Sequence, residues 1–127
     1  MVREVHIEDI DHLAKPSIRD GLLDPWRAHM REMAQFPNVV CKVSGAVTEA
    51  RPGHWSTDDL RPYIEHVLES FGEDRVLFGG DWPVVLNNSS YKGWVVALDE
   101  ITSGMSTAAL DKLWANNARR VYRLDER

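Results

Sequence analysis

The residues best suited to chemistry in this chain stand where short apolar runs end. Asp81 is the clearest. It lies in Val76–Val84, VLFGGDWPV, where Val76-Leu77-Phe78-Gly79 reads as a short buried strand bounded upstream by the polar Glu73-Asp74-Arg75. Gly79 and Gly80 permit a sharp exit from a sheet, and Pro83 removes a backbone donor and ends the strand. The Asp81 carboxylate is thereby placed at the C-terminal tip of a strand with Trp82 beside it. In α/β sheets and barrels that tip is where ligands bind and catalytic carboxylates sit. The same carboxylate can instead cap a turn or the following helix. Lys42 and Ser44 share one side of a second strand by its two-residue period. Either can touch a ligand there, and Lys42 can equally form a structural ion pair. Glu49 lies in the polar loop 46–56, beside His54 and Trp55, and can bind a ligand or cap a turn. Trp82 suits a pocket wall or plain packing.

The elements that position these groups follow a repeating order. Segment 10–16, IDHLAKP, reads as the end of a strand entering a loop, with Pro16 as punctuation, although residues 1–9 are charged and show no clean strand pattern. Asp24-Pro25 reads as a helix start, with Asp as N-cap and Pro at the first helical position. Trp26, Met30, Met33 and Ala34 form the apolar stripe of that helix. Val39–Val43 is the next strand, with Ser44-Gly45 as its exit. Residues 56–59 begin another helix that Pro62 interrupts, so the main helix is expected from about Arg61 to Phe71, with Gly72 ending it. After the strand that leads to Asp81 comes a loop over 84–90. A helix marked by Tyr91, Trp94, Val95, Leu98 and Ile101 is closed by Gly104. Ser106 then caps a last helix carrying Leu110, Leu113, Trp114, Ala118 and Val121. Strand exits at His12, Ser44 and Asp81 are each separated by roughly the 30 or more residues of one βα unit. This alternation implies a parallel sheet covered by helices. Three strands are few for a parallel sheet, which normally buries both faces, and both edges remain open to pairing. The whole of 1–127 is read as one partial domain.

Composition narrows the function classes. The 127 residues are 43% hydrophobic and 28% charged, as in a folded globular protein, and a single Cys41 in an apolar run reads as buried and inert. A net charge of −5 gives no electrostatic reason to bind nucleic acid or anionic membranes. No apolar run reaches the roughly 20 residues of a membrane helix, and the charged start lacks a signal-peptide core, so the cytoplasm is the expected compartment. His29 and His66 fall within helices, and Trp26, Trp94 and Trp114 on apolar stripes, so all five read as packing. No phosphate-binding glycine loop, catalytic cysteine or zinc-type cysteine cluster is present.

Five motifs in order carry a family resemblance: DHLAKP (11–16), PNVVCKVSG (37–45) with TEA (48–50), LRPYIEHVLESFG (60–72), DRVLFGGDWPV (74–84) and NNARRVYRL (116–124). Together they resemble the amidohydrolase-related TIM-barrel hydrolases, in particular the sugar lactonase branch that includes fuconolactonase-like and rhamnonolactonase-like proteins. 2-Pyrone-4,6-dicarboxylate lactonase is a more distant cousin. The resemblance runs from about residue 10 to residue 124. It implies an α/β fold, the C-terminal portion of a (β/α)8 TIM barrel of roughly 250 residues or more, comprising three βα units (strands six to eight) and a final helix. Strands one to five, and the family's His-x-His pair on the first of them, have no counterpart here. Gly80 stands where Ser is commoner in the family, and residues 1–9 depart from the apolar strand expected there.

The resemblance assigns roles. Asp81 matches the aspartate at the end of the eighth strand and would be the general base that takes a proton from the water attacking a lactone carbonyl. His12 matches the histidine of DHxxKP and would polarise that carbonyl, or join Asp81 as a metal ligand where a divalent ion such as zinc is bound. Lys42, Ser44, Glu49 and Trp82 would contact substrate, Glu49 through a sugar hydroxyl. The implied partner is a small-molecule lactone, with self-association or a missing N-terminal half-barrel to cover the open edges. Two alternatives stand beside lactone hydrolysis. One is a truncated chain that is incompetent or unstable alone, or that assembles with another chain. The other is decarboxylation or amide hydrolysis on the same barrel, since fold does not fix function.

Overall fold

The computed structural model describes residues 7–124. Its centre is a three-stranded parallel sheet in the order β1–β2–β3, formed by Glu8–Ile10, Val39–Val43 and Val76–Phe78. Asp9 lies opposite Val40, and Lys42 opposite Leu77, so the three strand exits line up at one end of the sheet. β1 forms despite its charged residues because β2 supplies its ladder and Glu8 N–H donates to the Asn38 carbonyl at 2.9 Å. Residues 1–6 of the charged start lie outside the described residues.

Helices α1 (Trp26–Ala34) and α3 (Thr57–Phe71) pack on the sheet, and α4 (Tyr91–Ile101) packs against α3. Met30, Leu60, Ile64, Val67, Trp94 and Leu98 meet Val39, Cys41, Val43 and Val76 in a common apolar core. Period-two alternation sends Lys42 and Ser44 to the other face. Arg75 ties the layers at the opposite end from the strand exits. Its guanidinium donates to the carbonyls of Phe36, Ala34 and Val39 at 2.8, 2.9 and 3.2 Å, joining the end of α1 to the start of β2.

Several local expectations are corrected. α3 runs unbroken from Thr57 through Pro62, because a capping box fixes its start: Asp59 N–H donates to Ser56 Oγ, and Ser56 N–H to the Asp59 carboxylate. Pro62 forfeits only the N–H that would bond the carbonyl of the solvent-facing Asp58. Asp24 does not cap α1. Its carboxylate binds the Arg27 guanidinium at 2.7 Å, and α1 begins at Trp26. Part of the loop 46–56 is helical, since α2 occupies Ala46–Glu49. The loop 84–90 likewise contains a 3-10 turn at Val84–Asn87. Ser106 does cap the last helical stretch, accepting from Ala109 N–H at 3.1 Å. That stretch passes from α5 (Thr107–Asp111) through a π turn at Lys112–Asn116 into α6 (Asn117–Val121). The extra residue of the π turn shifts the buried line to Ala109, Leu113 and Asn117. Asn117 Nδ2 donates to the carbonyls of Glu73 and Val76 at 2.6 and 2.8 Å, fastening the helix to β3.

Candidate active site

The chain leaves β1 through an unusual turn. His12, Leu13, Ala14 and Lys15 all have left-handed backbone angles, with φ of 49°, 56°, 57° and 52°, although none is glycine. Each such residue costs about 1–2 kcal/mol, so the turn needs support from its surroundings. Leu13 supplies part of it by being fully buried. Its carbonyl accepts a hydrogen bond from Trp26 Nε1 at 2.7 Å, and Lys15 N–H closes on the His12 carbonyl at 2.9 Å. The turn presents the His12 ring across the top of β2, where Nδ1 meets the buried Ser44 Oγ at 2.7 Å.

Asp81 enters from β3, and its own φ of 54° is also left-handed. Its carboxylate reaches Thr48 on one oxygen and His12 on the other. Thr48 Oγ1 donates to Asp81 Oδ2 at 3.2 Å, while Asp81 Oδ1 lies 3.6 Å from His12 Nε2. The strand exit beneath is pinned by the buried Trp94, whose Nε1 donates to the Gly79 carbonyl at 2.8 Å. Two glycines make the convergence sterically feasible. A Cβ on Gly45 would stand 2.9 Å from His12 Cβ, and one on Gly79 would stand 2.7 Å from Ser44 Cβ.

His12, Asp81, Thr48, Glu49, Gly45, Lys15 and Val84 line one cavity of about 200 Å³. A larger cleft of about 410 Å³ is lined by residues including Arg19, Arg51 and His54 but holds none of the strand-exit groups. The chemistry therefore selects the smaller one. The Asp81 side chain is only 10% exposed and that of His12 35%, so the carboxylate is sheltered while the imidazole reaches solvent.

The structure brings together His12, Ser44, Glu49 and Asp81 from the sequence reading. Lys42 lies on the Ser44 side of β2, as the period requires, yet its ammonium is engaged elsewhere. It donates to Asp11 Oδ1 at 3.1 Å and stands 4.0 Å from Asp9. Burial disfavours the Lys42 ammonium, but the Asp11 hydrogen bond together with the charges of Tyr122, Asp11 and Asp9 outweighs it and raises the Lys42 pKa. The same hydrogen bond, with the Lys42 charge, holds the Asp11 carboxyl below its ordinary value. Trp82 is 67% exposed and does not line the cavity. Cys41 is buried, and desolvation pushes its thiol pKa up, which keeps it protonated and unreactive. Thr48 and Lys15 were not foreseen as cavity residues.

A parallel sheet, helices over one face, and a carboxylate and an imidazole meeting above the strand exits are the arrangement expected of a piece of a TIM barrel. The chain belongs to the amidohydrolase family, whose model matches residues 10–124. It is 40% identical over 134 aligned residues to an L-fucono-1,5-lactonase of Burkholderia multivorans, covering 97% of this chain and 45% of that protein. An L-fucono-1,5-lactonase of Burkholderia ambifaria is 36% identical over 120 residues, covering 91% of this chain and 41% of the relative. A crystal structure of a Burkholderia multivorans amidohydrolase with bound zinc superposes with a TM-score of 0.88 at 38% identity, covering 93% of this chain and 44% of that one. The chain thus spans less than half the length of these relatives, and its three βα units are the C-terminal portion of the (β/α)8 barrel.

Zinc is bound in that neighbour. Among the described residues no three His, Cys, Asp or Glu side chains converge to hold a metal. His12 and Asp81 make two donors, short of the three protein ligands of a catalytic zinc site. The described residues do not by themselves fit the ion.

Proposed function

We propose that the barrel to which these residues belong hydrolyses a sugar lactone, with Asp81 as general base. The observation that carries this reading is the meeting of Asp81 and His12, from different strand exits, in one cavity. The names of the lactonase relatives support the substrate class. Asp81 takes a proton from water as the water oxygen attacks the lactone carbonyl carbon. The carbonyl electrons move onto oxygen, where His12 Nε2–H stabilises the developing charge. In this assignment Ser44 Oγ–H donates to Nδ1, which fixes the imidazole with its proton on Nε2. Collapse of the tetrahedral intermediate breaks the ring carbon–oxygen bond, and the leaving alkoxide takes the proton that Asp81 accepted from water, which restores the carboxylate and gives the open hydroxy acid. Glu49, at the cavity wall, accepts a hydrogen bond from a sugar hydroxyl.

The experiment uses the complete protein and a panel of aldonolactones. Asp81→Asn is expected to lower kcat by about 10²–10⁴-fold, the usual range for a positioned base, with the fold intact. Unchanged lactone hydrolysis in that variant sinks the assignment. Activity belongs to the assembled barrel in this reading, so the 127-residue segment alone is expected to turn over no lactone.

A further inference from the structure

We propose that Thr48 is the positioning residue of Asp81, and that Asn88 holds Thr48 in place from the neighbouring loop. This rests on the reading of Asp81 as the base. Asp81 leaves β3 with a left-handed backbone, so regular secondary structure does not aim its side chain. The Thr48 hydroxyl does, by donating to Oδ2 at 3.2 Å and leaving Oδ1 turned toward His12. A hydrogen bond to an ionised carboxylate is stronger than a neutral one and therefore suited to this task.

Thr48 itself needs an anchor. It lies in α2, a single turn that cannot persist alone because helix nucleation is unfavourable. The anchor is Asn88, which follows the 3-10 turn on the β3 side. Its Nδ2 donates to the Val47 carbonyl at 2.7 Å, next to Thr48, and reaches the carbonyls of Ala50 and Arg51 at 3.4 Å. Its Oδ1 accepts from Gly53 N–H at 2.9 Å. Its backbone carbonyl accepts from Trp55 Nε1 at 2.7 Å. A single asparagine in the loop that carries Asp81 thus uses donor, acceptor and backbone to hold the loop that carries Thr48. The distance between base and hydroxyl is set by that staple.

The test is a double-mutant cycle in the complete protein. Thr48→Val removes the donor and keeps the branched shape, and is expected to lower kcat by about 10- to 100-fold with KM nearly unchanged, the scale of a misplaced catalytic group. Thr48→Ser, which keeps the hydroxyl, restores most of the rate. Asn88→Ala lowers kcat in the parent protein but adds little in the Thr48→Val background, because the two act through one contact. Parent-like kcat in Thr48→Val overturns the role of Thr48, and fully additive losses overturn the role of Asn88. If the parent hydrolyses no lactone, the functional reading fails separately. Crystal structures of the parent and Thr48→Val then decide the positioning claim: a turned Asp81 carboxylate upholds it, and an unmoved one overturns it.

Discussion

His12 and Ser44 meet at 2.7 Å across two strand exits, and Gly45 is the reason they can. Gly45 has a φ of 73° and a missing side chain whose first carbon would fall 2.9 Å from His12 Cβ. Gly45→Ala therefore imposes backbone strain and a clash together. The expected outcome is a loss of about 1–3 kcal/mol in stability and a larger proportional loss of kcat/KM, as the His12 ring leaves Ser44. Thermal unfolding and steady-state kinetics on the complete protein check both.

Trp26 reads as packing from its apolar stripe, and the structure adds a second duty. Its indole N–H is the donor that meets the Leu13 carbonyl inside the left-handed turn. Trp26→Phe keeps most of the ring and removes the donor. A destabilisation of about 1–3 kcal/mol is expected from the unsatisfied carbonyl, with a fall in kcat because the turn that aims His12 loosens. A variant with parent-like kcat and Tm contradicts this account.

The Asp11–Lys42 pair gives a pH signature. The Asp11 pKa is lowered on folding, so its contribution is complete above the ordinary carboxylate range and disappears as pH falls through the folded value. The Lys42 pKa is raised, so its contribution is complete below the ordinary lysine range and disappears as pH rises through the folded value. Asp11→Asn should lower Tm between about pH 5 and about pH 10 and have no effect near pH 2. Because the Asp11 side chain is 66% exposed, the effect stays below about 1 kcal/mol and shrinks in high salt.

Asn117 is a buried polar side chain in the last helical stretch, and its amide donates to two backbone carbonyls. Asn117→Ala strands the Glu73 and Val76 carbonyls and opens a small void beside β3. A loss of about 2–4 kcal/mol is expected in denaturant unfolding of the complete protein.

The sheet and its exits were legible in the sequence because strand-forming runs, glycines and prolines punctuate them. His12, Ser44 and Asp81 could be placed at one end of the sheet on that basis. The turn at His12–Lys15 was not legible, since left-handed backbone is ordinarily flagged by Gly or Asn and HLAK contains neither. Thr48 was missed for a different reason. A helix of four residues is too short to show a period, so α2 merged with the polar loop around it. Asn88 reads as one more polar loop residue. Its importance comes from partners some 40 positions away, which no local pattern reports. Pro62 misled in the opposite direction, as its helix-breaking tendency was overridden by the capping box of Ser56 and Asp59, which closes three residues before it.

The glycines behind the candidate base and imidazole have a consequence for how such a protein changes over generations. Gly45 and Gly79 sit where any added carbon meets His12 or Ser44 within 3.0 Å, so these positions tolerate little variation. Lys15, Glu49 and Val84 line the same cavity without that constraint. A lineage exploring new substrates can therefore rewrite the rim while the reactive centre stays frozen. In a saturation library, altered selectivity should accumulate at those three rim positions, and surviving clones should keep Gly45 and Gly79.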